Sequence, residues 1–334
     1  MTSALGWTKR LLHIATGRSE LVRICSSAGH SQQVSVRVYR CLQNSKDMVD
    51  LWKRFKQESS SGAPVDLEAW TRAFLKVKQT RPRSQAQDQL FRNLLLSLTD
   101  ASQWERAKRT LGDLVDTRFQ SKDCGHQELL ERLWQRLQPL VAADLNTNKR
   151  DWRRLGFQGD DPSTDFRGMG VFALHQLVYF AETRRRVVQR IITEASEESW
   201  TNVHQSATGS GPPVMQLKRY YPFAVTGIHV SAFIVRLVQE DAFVDTWMGQ
   251  RADTILQKIN DLYCDTFILF HEHWRQGPER SVMDFPKVFR ECCAQVEQQI
   301  RLGVFLPHLR GETADEYPGD TFVGKCSVQH IRSD

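Results

Sequence analysis

From residue 46 onward, apolar residues recur every three or four positions, the spacing of helices with one buried face. A short helix is predicted over about 46–57, followed by a Ser/Gly/Pro stretch, Glu58–Pro64. Leu67–Val77, Gln85–Leu98 and Ala101–Phe119 then read as helices, with Leu90, Phe91, Leu94, Leu95 and Leu98 in one stripe. Asp100 is placed as an N-cap that separates the second from the third. Gln127–Leu145 carries Leu129, Leu130, Leu133, Trp134, Leu137, Leu140 and Val141, and Pro139 is expected to kink or split it. Helical spacing resumes at about Gly168–Ala181, Thr183–Ser199, Phe223–Glu240, Gln250–Trp274 and Phe285–Leu302, with Thr208–Pro213 as a loop. Only Gln33–Val38 alternates like a strand. The pattern predicts an all-α fold without repeats. It divides into a short basic N-terminal arm (1–45), an N-terminal helical region (46–124), one large helical domain (125–305) and a polar C-terminal tail (306–334).

Charge changes this picture only at the start of the chain. The net charge is +6 over 334 residues, and +5 of it falls within residues 1–41. Nucleic-acid-binding proteins carry their basic excess on the folded body, so the near-neutral remainder argues against that class. For the arm three readings stay open: a loosely packed segment, a membrane-surface contact with anionic headgroups, or a mitochondrial transit peptide. No apolar run reaches the roughly 18–20 residues of a membrane-spanning helix. Seven cysteines (25, 41, 124, 264, 292, 293 and 326) include no CxxC pair. An odd number in this pattern reads as free thiols in a reducing compartment, neither a disulfide framework nor a zinc site.

The texture breaks at Asp151–Gly170, which is rich in Gly, Asp and Arg. Ser163, Thr164 or Asp165 is expected to cap a helix beginning near Phe166. Arg167 then falls in its first turn, where a cation opposes the helix dipole at a cost of a few tenths to about 1 kcal/mol. An arginine there calls for a partner, and two kinds fit its planar fork. One is Asp160, Asp161 or Asp165 in a structural ion pair. The other is a phosphate on a second molecule, which Gly168 and Gly170 would allow to approach closely. Trp152, Leu155, Phe157 and Phe166 are expected to pack the loop, and Gln158 to bond its backbone.

At these residues the sequence resembles the ELMO (engulfment and cell motility) domain family. Its signature, W-x3-G-F-Q-x3-P-x-T-D-F-R-G-x-G-x3-L-x2-L-x-Y-F, is met at Trp152, Gly156, Phe157, Gln158, Pro162, Thr164, Asp165, Phe166, Arg167, Gly168, Gly170, Leu174, Leu177, Tyr179 and Phe180. Thr16–Cys25, Tyr221–Val238, Leu262–Trp274 and Met283–Phe285 are also similar to the family, so the likeness covers most of the chain. The chain's length points to the compact ELMO-domain-containing branch rather than the longer scaffolds.

The resemblance implies a GTPase-activating protein for Arf or Arf-like small GTPases, a regulator rather than an enzyme. Arg167 would be the arginine supplied in trans, with Asp165 and Gln158 orienting it. Trp152, Gly156, Phe157, Pro162, Thr164, Phe166, Gly168 and Gly170 would support the motif. GTP and Mg²⁺ would belong to the GTPase, so no cofactor or metal is expected here. The alternative is a non-catalytic GTPase-binding or scaffold module acting with DOCK-type Rac exchange factors. The expected setting is the cytoplasm, with peripheral contact at organelle membranes through the basic arm, or mitochondrial targeting by that arm as a lesser alternative. Other candidates are weaker. His271 and His273 lie two apart on a helix and do not share a face. Cys264 with His271 reads as core, and Arg184–Arg186 with Arg190 as a solvated basic face.

Overall fold

A computed structural model describes residues 18–26, 29–61, 63–78, 85–138, 150–195, 220–276 and 280–303. Pro139–Val141, the loop Thr208–Pro213, Cys326, the tail 306–334 and residues 1–17 of the arm lie outside the described residues. Among the described residues there are helices and no strand, so the fold is all-α. None of these helices is long and apolar enough to cross a membrane.

The organising element is α5, Gln85–Asp116, a single helix of 32 residues where two were expected. Thr99 and Ser97 return their hydroxyls to the carbonyls of Leu95 and Asn93, and Leu98 and Ala101 continue the buried stripe. Asp100 does not cap a helix start. Its carboxylate instead accepts a 2.6 Å bond from Ser35 Oγ and faces His30 Nε2 at 3.4 Å. A tertiary donor thus removes the local competition that would have broken the helix.

Four N-terminal helices pack on α5: α1 (Glu20–Cys25), α2 (Gln32–Asn44), α3 (Val49–Ser60) and α4 (Leu67–Val77). Part of the expected basic arm is therefore core. Leu21, Val38, Tyr39 and Leu42 are buried, while Arg37 and Arg40 point to solvent. The basic bias marks one helix face, not a missing core. The apparent strand Gln33–Val38 is part of α2, because the polar residue between its valines, Ser35, is buried and hydrogen-bonded. Tyr39 Oη donates to Glu105 at 2.7 Å. Nearby, Asp241 accepts from Trp104 Nε1 at 3.0 Å and pairs with Lys108 at 2.7 Å. This network ties α2 and α5 to the turn after α9.

The remaining helices are α6 (Cys124–Leu137), α7 (Gly170–Thr183), α8 (Arg185–Ala195), α9 (Phe223–Gln239), α10 (Val244–Trp247), α11 (Ala252–Gln276) and α12 (Phe285–Arg301), of which α7, α9 and α11 pack on α5. α7 is the central one, buried against α5, α6, α9 and α11. Phe180 sits among Phe223, Tyr263 and Phe267, with ring centroids 5.2–6.4 Å apart.

Burial gives this packing a pH signature. His175 on α7 is held down to about 4 by desolvation, with Arg132 and His126 adding repulsion. A folded-state pKa below the ordinary 6.5 means that the unfolded chain binds the proton first. Stability contributed by neutral His175 is therefore full above about pH 6.5 and falls as the pH drops toward 4, by at most about 3 kcal/mol. Urea midpoints measured across this window should decline, and His175→Gln should flatten the decline.

Candidate functional site

Residues 150–169, the described part of the connection into α7, are built around two short 3-10 turns. Arg153–Leu155 makes the first, and it ends at Gly156 in the left-handed region, φ 80°. Gly156 lies flat against the start of α9. Its carbonyl accepts from Val225 N at 3.2 Å, and a Cβ there would lie 2.3 Å from Phe223 N. The expected hydrophobic packing is present beneath the loop. Trp152 meets Phe157 edge-on at 5.4 Å, Phe157 meets Phe166 at 5.9 Å, and Trp134 supports Trp152 at 5.0 Å.

The second turn, Pro162–Gly168, is a 3-10 helix whose N-cap is Asp161, accepting from Ser163 N at 2.9 Å. Pro162 starts it and is buried with Phe166. The cap is therefore not Ser163, Thr164 or Asp165. Arg167 sits in the last turn of this 3-10 helix, not in the first turn of α7. The expected dipole penalty does not arise, because a cation at a helix end faces exposed carbonyls.

Of the two partners open to Arg167, the aspartate ion pair does not form among the described residues. Asp160 pairs with Arg153 at 3.1 Å. Asp161 is occupied as the cap, and Asp165 Oδ2 accepts from Gln158 N at 2.8 Å. Thr164 Oγ1 donates to Asp161 O at 3.0 Å. Asp165 and Gln158 thus close the loop on itself through the Gln158 backbone. Arg167 is exposed and makes no ion pair or hydrogen bond among the described residues. Gly168 beside it is open to solvent, as close approach would need.

Gly170 has a different task. At φ 51° it packs onto the C-terminal end of α5, and a Cβ would lie 2.3 Å from Val115 O and 2.4 Å from Thr117 O. Val171 N completes the seam with a 2.9 Å bond to Thr117 O.

Arg167 borders a half-open cavity of about 240 Å³, lined also by Gln158, Thr164, Asp165, Gly168, Val225, Ile228 and His229. Of the lining residues the sequence points to Gln158, Thr164, Asp165, Arg167 and Gly168 and does not reveal Val225, Ile228 and His229. Their i, i+3, i+4 spacing on α9 was visible, but nothing local says that this face meets the loop. The His229 side chain is exposed, yet its ring lies against Phe285 and Phe289, with centroids 5.4 and 5.9 Å apart. That partial burial lowers its pKa below the usual value.

The weaker candidates lie elsewhere. His271 is buried between Tyr221 Oη, 2.8 Å from Nδ1, and Glu194, 2.9 Å from Nε2, while His273 bonds Gln295. Among the described residues no group of three His, Cys, Asp or Glu side chains could hold a metal. Cys264 is fully buried, which pushes its thiol pKa up, and none of the described cysteines forms a disulfide. In the basic patch, Arg184 faces Asp261 at 3.8 Å and Arg190 faces Glu272 at 3.7 Å.

A model of the ELMO/CED-12 family matches residues 109–289 of the chain. ELMO domain-containing protein B of Dictyostelium discoideum is 29% identical over 295 residues, which cover 87% of this chain and 93% of that protein. ELMO domain-containing protein 2 of Mus musculus is 28% identical over 290 residues (85% and 87%), and ELMO domain-containing protein 1 of the same organism 26% over 300 residues (88% and 87%).

Proposed function

The chain belongs to the ELMO/CED-12 family, and from that premise we propose that it is a GTPase-activating protein for an Arf or Arf-like small GTPase, with Arg167 as the residue supplied to the partner's active site. The observation that carries the reading is the state of Arg167. Three carboxylates stand within seven residues of it, each engaged elsewhere, while its own guanidinium is exposed at the rim of a cleft. A charged fork held free on a rigid turn is ready for an anion brought by another molecule.

The chemistry belongs to the partner, which binds GTP and Mg²⁺ and positions the attacking water. An arginine entering that site offsets the charge that develops on the γ-phosphoryl oxygens, worth roughly 10³–10⁵-fold in rate. Here Asp165 and Gln158 have a positioning role: the bond between them fixes the loop and leaves Arg167 without an internal competitor. The proposed setting is the cytoplasm.

The test is single-turnover hydrolysis by purified, GTP-loaded Arf, Arf-like and Rac-family proteins, each with and without the chain. Acceleration of an Arf or Arf-like member is expected. GTP-dependent binding with no acceleration of any member would reject the proposal and assign the chain to the scaffold or effector class.

A further inference from the structure

One strip of apolar surface is left without a role by the arginine. It begins in the Arg167 cleft with Val225, Ile228 and His229, and passes through the His229 ring to Phe285 and Phe289. It ends at Val282 and Met283 on the 3-10 turn Val282–Asp284, where they are 48% and 87% exposed. Met283 is the most exposed large hydrophobic side chain among the described residues.

This exposure is not slack in a loose loop. The turn is tied by its own ends: Ser281 N donates to Asp284 Oδ2 at 2.8 Å, the Ser281 hydroxyl donates to the same oxygen at 3.3 Å, and Asp284 N donates to Ser281 O at 2.9 Å. The polar side chains are consumed in holding the turn, and the apolar pair is fixed outward. A Met283 held outward leaves its apolar side chain in water, and exposed apolar surface of this kind marks an interaction site.

Resting on the proposed role of Arg167, we infer that the strip is the second anchor for the same GTPase, gripping apolar residues beside its nucleotide site. Contact geometry selects this occupant. A specific interface covers roughly 800 Å² on each partner, a patch about 16 Å in radius. Phe285 lies one ring contact, 5.4 Å, from the cleft residue His229, and Met283 is two residues further, at most about 7 Å of chain. An interface centred on the cleft that Arg167 and His229 share therefore extends toward Met283, which makes the strip continuous with the surface the Arg167 partner would cover. Aromatic residues and Met are the side chains that interface centres favour. Arg167 and the strip divide the work: the arginine acts on the transition state, and the strip sets affinity.

The experiment titrates the full chain against a GTP-loaded Arf-like protein that it stimulates, comparing the unmodified chain with Met283→Asp, Met283→Leu and Arg167→Lys. Met283→Asp should raise the half-saturating concentration roughly tenfold or more and retain hydrolysis at saturation. Met283→Leu should restore the original concentration dependence. Arg167→Lys should lower the saturating rate with little change in half-saturation. Because Met283 is 87% exposed, thermal melting should not move in the Met283 variants. If Arg167→Lys is inactive while Met283→Asp titrates like the unmodified chain, the strip is not the anchor and the arginine reading survives. If Arg167→Lys is fully active, that reading falls and the strip's role with it. Loss of sedimentation with anionic lipid vesicles in Met283→Asp, with GTPase titration unchanged, would make the strip a membrane contact and also overturn the inference.

Discussion

Replacing Arg167 by Lys is expected to reduce stimulated GTP hydrolysis by about 10³-fold, the lower end of what an arginine in trans supplies, and to leave thermal unfolding where it was. Lys keeps the positive charge but loses the planar fork that reaches two phosphoryl oxygens together. The separation of rate from stability follows from the geometry. Arg167 is exposed and bonded to none of the described residues, and Asp160, Asp161 and Asp165 are held by Arg153, Ser163 N and Gln158 N. An exposed side chain with no internal bond changes stability by no more than about 0.5 kcal/mol when replaced. If Arg167 were instead a loop clamp, Lys would lower the melting temperature and reduce activity only in step with the unfolded fraction. Single-turnover hydrolysis and a circular-dichroism melt on the same preparation separate these cases. Near-normal stimulation by the Lys variant would remove Arg167 from the mechanism.

Before the structure, two pairings of Arg167 were open, and sequence spacing had no means to choose. Three aspartates within seven residues look like partners, but a 3-10 turn directs side chains differently from an α-turn, and each aspartate finds a nearer donor. The α-turn was the wrong expectation for a physical reason. Met169 alone joins the turn that ends at Gly168 to α7, which begins at Gly170, so a periodic count that begins at Phe166 runs through a joint. Where periodicity is local and uninterrupted, it reads well: it gives Leu67–Val77 with the observed bounds, and Phe223–Glu240 and Phe285–Leu302 each to within one residue.

What the sequence hid is non-local. Asp100 reads as a cap until Ser35, 65 positions away, claims its carboxylate. The basic bias of the first 41 residues reads as an unstructured arm until Tyr39 is found bonded to Glu105. The cleft itself joins a loop at 158–168 to one face of α9 at 225–229, and helical spacing on α9 cannot say which neighbour that face meets. The signature residues were legible as a set, whereas the division of labour among them required coordinates. Trp152, Phe157, Pro162 and Phe166 are buried support, and Gln158, Thr164, Asp165, Arg167 and Gly168 line the cleft.

The largest effect on folding is expected at the two glycines that clamp the ends of this loop. Gly170→Ala should destabilise the protein by roughly 3–5 kcal/mol, combining a strained left-handed residue with a forced contact. The contact cannot be relieved by a rotamer change, because the new Cβ would lie 2.3, 2.4 and 2.8 Å from the carbonyl oxygens of Val115, Thr117 and Leu114, all backbone. Either α7 lifts from the end of α5 and the Val171 N bond to Thr117 O is lost, or the C-terminal turn of α5 frays. Gly156→Ala meets the same difficulty against the backbone of Pro222 and Phe223 at 2.3–2.8 Å. It should also loosen the cleft, since the Gly156 carbonyl holds Val225 N. Gly168→Ala is the internal control: its φ is ordinary and nothing lies within 4 Å of the added carbon, so its urea midpoint should stay near that of the unmodified chain. If Gly170→Ala and Gly168→Ala unfold at the same urea concentration, the seam between α5 and α7 is not the constraint described, and the rigidity of the Arg167 turn has another source.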